Sequence, residues 1–161
     1  MDGQTEPTAP AEAPLGFLAA RVDEKGRLKV PAAILQYLVS VKESRVFITT
    51  FDKTTVRIYP IKAWRETESF LSKPGEGAQA KAAARFVANH YGADSEIDGQ
   101  GRVLVPSDLR RELELEGVAV HLECVNGHFE MLSDAAYKKK LEAYDRILEE
   151  KLGEVIEMGL P

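Results

Sequence analysis

The chain of 161 residues contains one cysteine, one tryptophan and three histidines. A lone thiol excludes an intramolecular disulfide and a cysteine-rich zinc site, and it suits a reducing cytoplasm. No apolar run approaches the roughly 20 residues that cross a bilayer. Positive charge is also short: 21 Lys and Arg stand against 26 Asp and Glu, a net of −5. An acidic total disfavours a polyanionic partner unless the cations are concentrated in one place. Residues 1–14 lack the basic start and apolar stretch of a secretory signal. They hold three prolines and two glutamates, and no large apolar side chain beyond Met1, so they read as a disordered tail.

What remains is ordinary for a folded domain, with 44% apolar and 29% charged residues. Within it one nonapeptide occurs twice. Asp23-Glu24-Lys25-Gly26-Arg27-Leu28-Lys29-Val30-Pro31 returns 75 residues later as Asp98-Gly99-Gln100-Gly101-Arg102-Val103-Leu104-Val105-Pro106. The shared frame is Asp-x-x-Gly-Arg-aliphatic-x-Val-Pro. The likeness continues: Ile34, Leu35 and Leu38 follow the first copy, Leu109 and Leu113 the second. Later, Val56-Arg57-Ile58-Tyr59 matches Phe129-Glu130-Met131-Leu132 at an offset of 73. Two copies of one supersecondary unit account for this.

Each copy reads as strand, glycine turn, strand, short helix and two further strands. Gly26 and Gly101 supply a backbone angle that other residues resist. Leu28 and Val30 alternate with Arg27 and Lys29, so the aliphatic pair points inward and the cations outward. Pro31 stands at the first helical position, where no N–H is needed. The later strands are expected over 45–50 and 55–59, and over 117–123 and 128–132, the second pair joined by an Asn126-Gly127 hairpin turn. Helical spacing marks Ile61, Trp64, Glu68 and Leu71, an alanine-rich stretch over 79–90, and a stripe of Tyr137, Leu141, Tyr144, Leu148, Leu152 and Val155. These stripes are expected to serve core or subunit packing.

Charge separates the two copies. Residues 15–31 carry Arg21, Lys25, Arg27 and Lys29 against Asp23 and Glu24, a net of +2. Residues 91–106 carry Arg102 against Asp94, Glu96 and Asp98, a net of −2. A two-stranded ribbon with outward arginine and lysine can enter a major groove, and the guanidinium fork can grip guanine or phosphate at two points. Arg21, Lys25, Arg27, Lys29 and Arg102 are therefore the candidate DNA-binding residues. Asp23, Gly26, Pro31, Asp98, Gly101 and Pro106 are the candidate structural frame, with the aspartates accepting turn N–H groups.

Other constellations are weaker. His121, Cys124 and His128 are close in sequence, but an odd separation points His121 and Cys124 to opposite faces of a strand, so no metal is expected. Gly99-x-Gly101 lacks the third glycine and long helix of a dinucleotide site. No nucleophile-elbow serine is present, and Glu112 and Glu116 read as a solvated helix face. Neither a catalytic residue nor a cofactor is expected.

The two nonapeptides, with Phe51-Asp52, Arg57-Ile58-Tyr59-Pro60, Trp64, Ala84-Arg85-Phe86, Val105 to Arg110 and Phe129-Glu130, resemble the MraZ family, bacterial regulators built from two SpoVT/AbrB-type units. The resemblance spans about residues 15–144. The chain departs from the family at Ala84, where a second arginine is usual, and at Tyr137, where tryptophan is usual. It implies an α+β, mainly β, fold with flanking helices, in which two units form a pseudo-twofold swapped-hairpin barrel. The division expected is a tail over 1–14, a first unit over 15–71, a linker and helix over 72–90, a second unit over 91–137, and a C-terminal helix over 138–161.

The same resemblance implies double-stranded DNA as partner and a homo-oligomeric ring acting on repeated operators upstream of cell-wall and division genes, its own among them. It implies a cytoplasmic, nucleoid-associated protein with no membrane or small-molecule partner. Two alternatives belong to other classes: an antitoxin-like protein of the same barrel type that binds operator DNA and a toxin, and a purely structural oligomerisation module.

Overall fold

The computed structural model describes residues 12–161. The tail expected over residues 1–14 therefore lies, for its first eleven residues, outside the described residues. Chain order is β1 (Leu18–Val22), β2 (Arg27–Lys29), α1 (Ala32–Ser40), β3 (Arg45–Thr49), β4 (Val56–Pro60), α2 (Ile61–Leu71), α3 (Ala78–Tyr91), β5 (Ala93–Glu96), β6 (Arg102–Leu104), α4 (Ser107–Leu113), β7 (Val118–Val125), β8 (His128–Ser133) and α5 (Asp134–Glu157).

All eight strands join one antiparallel sheet in the order β5-β3-β4-β8-β7-β1-β2-β6. The order shows the swap. β1, from the first copy, lies on β7 of the second, while β5, from the second, lies on β3 of the first. The Leu104 N–H donates to Ser95 Oγ at 3.2 Å, drawing β6 and β5, the two ends of the sheet, toward closure of the barrel.

The repeat becomes a rotation. Leu28 pairs with Val103 in β2–β6, and these two residues are equivalents at the 75-residue offset. Arg57 pairs with Glu130 in β4–β8, and these are equivalents at the 73-residue offset. A pseudo-twofold axis passes through both pairs. Backbone bonds obey it: the Val30 N–H donates to Gly101 O, and the Val105 N–H to Gly26 O, each at 2.9 Å.

The core lies inside the barrel. Leu28, Val30, Ile34, Val46, Ile48 and Val56 come from one copy, and Val103, Val105, Leu109, Val120, Leu122 and Phe129 from the other. Neither copy has a closed apolar interior alone, so burial drives the interlocking. A smaller cluster holds α2 and α3 outside the barrel: Trp64 stacks on Phe47 at 4.2 Å and leans on Tyr59, with Ala88 fully buried beside them. The buried Thr49 hydroxyl donates to Ala88 O at 2.6 Å, tying α3 to β3.

Two local expectations need correction. Pro31 is the N-cap of α1, with φ −56° and ψ 144°, not its first helical residue. Extended backbone at this position lets the strand pass straight into the helix. Glu116 does not lie on a helix face, because α4 ends at Leu113 with Glu114 in the left-handed region.

Candidate nucleic-acid interface

At the tip between β1 and β2, Asp23 organises the turn. One carboxylate oxygen accepts the N–H groups of Lys25 and Arg27, both at 2.9 Å, and the other accepts Arg27 Nε–H at 2.8 Å. Asp98 repeats this with the N–H groups of Gln100 and Arg102, at 2.9 Å, and Arg102 Nε–H at 3.0 Å. The Arg27 and Arg102 amides, joined by the arginine side chains and the Lys25 and Gln100 amides, outweigh the opposing desolvation and hold both carboxyls below the usual aspartate range. Such a turn requires aspartate where two backbone donors converge, and glycine where φ reaches +82° at Gly26 and +74° at Gly101.

Each motif arginine thus spends its Nε–H on its own aspartate. Among the described residues no other hydrogen bond engages either guanidinium, so the terminal amino groups stay uncommitted. The ion pair fixes the direction of a long side chain that is about one-third exposed. An arginine oriented this way loses less rotamer entropy when it meets an anion.

Register then assembles the face. In β2–β6, Arg27 lies across from Leu104 and Lys29 across from Arg102. Leu28 and Val103 point into the barrel, so Arg27, Lys29, Arg102 and Leu104 share the outer side of one ribbon. Local charge assigns Arg102 to an acidic second copy, but the interlock carries it next to the basic first copy. Arg21 leaves the outer side of the neighbouring β1, its guanidinium donating to Gly117 O at 2.8 Å. Lys29 Nζ donates to Gln100 O. Lys25 sits exposed in the tip, with no hydrogen bond or ion pair from its ammonium among the described residues. Of the five sequence-predicted cations, three share the ribbon and two flank it.

One residue outside that set supports the face. Arg110, on α4, donates from Nη1 to Lys25 O and to Glu116, each at 3.2 Å, and packs against Gly26. A second-copy helix therefore braces the first-copy tip. The equivalent position beneath Gly101 is Leu35. The arginine in place of leucine between otherwise parallel helices was the available signal, and helix patterning passes over it.

The remaining polar clusters point elsewhere. His121 Nε2 meets Asp134 at 2.8 Å and its ring stacks on Tyr137 at 3.9 Å. Cys124 packs on the core, and burial pushes its thiol up. His128 pairs with Glu130 at 2.9 Å. Among the described residues no three His, Cys, Asp or Glu side chains gather in metal-binding range, and no helix is long and apolar enough to cross a membrane.

An eight-stranded barrel of two interlocked copies, with paired Asp–Arg tips, is the architecture of a two-unit SpoVT/AbrB-type protein. Comparisons agree. The sequence profile of a family described as "MraZ protein, putative antitoxin-like" matches residues 92–152. A transcriptional regulator MraZ from Acidobacterium capsulatum is 35% identical over 122 residues, covering 76% of this chain and 83% of the relative. One from Koribacter versatilis is 36% identical over 98 residues, covering 60% and 67%. One from Shewanella piezotolerans is 29% identical over 128 residues, covering 79% and 84%. The chain belongs to the MraZ family of transcriptional regulators.

Proposed function

We propose that this chain is a sequence-specific DNA-binding regulator that presents the outer face of β2–β6 to the major groove. In this reading Arg27, Lys29 and Arg102 meet base edges and phosphates from the ribbon, while Arg21 and Lys25 meet flanking phosphates. The observation that carries it is the register placing Lys29 across from Arg102, which gathers cations from both copies of an acidic chain. A two-stranded ribbon fits a groove about 12 Å wide.

One ribbon is a small contact on a chain of net charge −5. Several ribbons on one assembly, meeting repeated motifs, would raise binding by about 10²–10⁴-fold where geometry allows simultaneous contact. The proposal therefore includes a ring-shaped homo-oligomer on repeated operators upstream of cell-wall and division genes, its own included, in a cytoplasmic, nucleoid-associated setting. The acidic remainder would suppress binding elsewhere.

The test is a mobility-shift series across salt on DNA upstream of the chain's own gene. Arg27→Ala and Arg102→Ala are each expected to cost about 1–3 kcal/mol on the operator and to relax sequence preference. Lys25→Ala is expected to weaken all sequences alike and flatten the salt slope by about one unit. Unchanged affinity in both arginine variants sinks the assignment. Affinity that ignores salt sinks the DNA reading itself and favours a structural oligomerisation module.

A further inference from the structure

We propose that α5 pairs antiparallel with α5 of a second copy of this chain, the two helices crossing about Leu148. α5 has 24 residues and none is buried. Its first turns hold the barrel: the Ser133 hydroxyl caps the Ala136 N–H at 3.1 Å, Tyr137 stacks on His121, and Phe17 meets the Tyr137 ring edge-on at 5.0 Å. Beyond Tyr144 the helix leaves the body. There Leu148, Leu152 and Val155 are 48%, 45% and 39% exposed, continuing a line begun by Leu141 and Tyr144 at 48% and 54%. The projecting part, residues 145–157, is of a length (about 12–15 residues or fewer) that is marginal in water by itself, and helices in proteins draw most of their stability from packing an apolar face.

The occupant follows from spacing and charge. At about 100° per residue, Leu141, Tyr144, Leu148, Leu152 and Val155 stay within about 40° of one line. Their spacing reads the same in both directions from Leu148: Tyr144 and Leu152 lie four residues away, Leu141 and Val155 seven. An antiparallel pair turning about Leu148 therefore sets Tyr144 against Leu152 and Leu141 against Val155, which is the self-complementarity of an isologous contact.

Charge selects the same direction. Lys138, Lys139 and Lys140 lie in the second turn of the helix, after Asp134, while Glu149, Glu150, Glu154 and Glu157 crowd its end. A parallel neighbour would stack lysines on lysines and glutamates on glutamates. An antiparallel neighbour offsets both sets, with Lys140 flanking the stripe on the same edge as Glu154 of the partner subunit.

This pairing does not rest on the ring. An isologous contact closes on itself, so a ring needs another surface. A wild-type chain that pairs and never exceeds a dimer would sink the ring and support the pairing.

The experiment combines sedimentation with directed cross-linking of the full chain under a mild copper oxidant, in a Cys124→Ser background. Leu148→Glu, on a side chain outside the core, is expected to lower the assembly mass at least twofold while retaining the barrel's circular dichroism. Lys140→Glu should weaken pairing, and Lys140→Glu with Glu154→Lys should restore it. Tyr144→Cys is expected to cross-link to Leu152→Cys in a mixture and not to itself. Three results would each overturn the proposal: an unchanged mass for Leu148→Glu, self-linking of Tyr144→Cys, or a wild-type chain that sediments as a monomer.

Discussion

Asp23 and Asp98 each close a turn and aim an arginine, and both tasks require the ionised carboxylate. Their folded pKa values lie below the ordinary one, chiefly through the Arg27 and Arg102 amides. The stabilisation is therefore present above the usual aspartate value of about 3.9 and is lost as pH falls through the depressed folded values. Hydrogen exchange at those two amides should stay protected through neutral and mildly acidic pH and rise only below about pH 4. Asp98→Asn should remove that acid limb at its own tip and leave it at the other.

Gly26 provides the residue-scale contrast. At φ +82°, with Arg110 against the space a Cβ would take, Gly26→Ala is expected to cost about 1–2 kcal/mol in a denaturant titration. Gly99→Ala, in open space without a positive φ, should change stability by less than about 0.5 kcal/mol.

Among the elements, the strands show their alternation in sequence, and the helices divide by what they cover. α1 and α4 plug the barrel with Ile34, Leu38 and Leu109. α2 and α3 form an external pair attached through Trp64, which is only 5% exposed. Trp64→Ala should cost about 3–5 kcal/mol, visible as a lower denaturation midpoint, because Phe47, Tyr59 and Ala88 lose their shared neighbour. A smaller loss for Trp64→Phe would identify packing as the cause. α5 differs from all of these in taking no part in the core.

The whole molecule is a symmetric barrel with an asymmetric face. Rotation about the axis places Leu104 where the other copy has Lys29, and Gln100 where it has Lys25. Leu104 is 52% exposed on the ribbon. Leu104→Lys should therefore add a cation without disturbing the interior, steepening the salt dependence of DNA binding by about 0.9 in log–log slope. No change in slope would place DNA away from this part of the ribbon.

The repeat was legible as a recurrence of one nonapeptide, and the inward and outward sides of its strands, the glycine turns and their aspartates were legible because each depends on residues within a few positions of one another. The same locality made the second copy read as acidic and Glu116 as a solvated carboxylate. Which strands became neighbours was decided by the barrel, since closing one apolar interior requires each copy to lend a hairpin to the other. That exchange set Arg102 beside Lys29, brought Arg110 beneath Gly26, and left α5 outside the core.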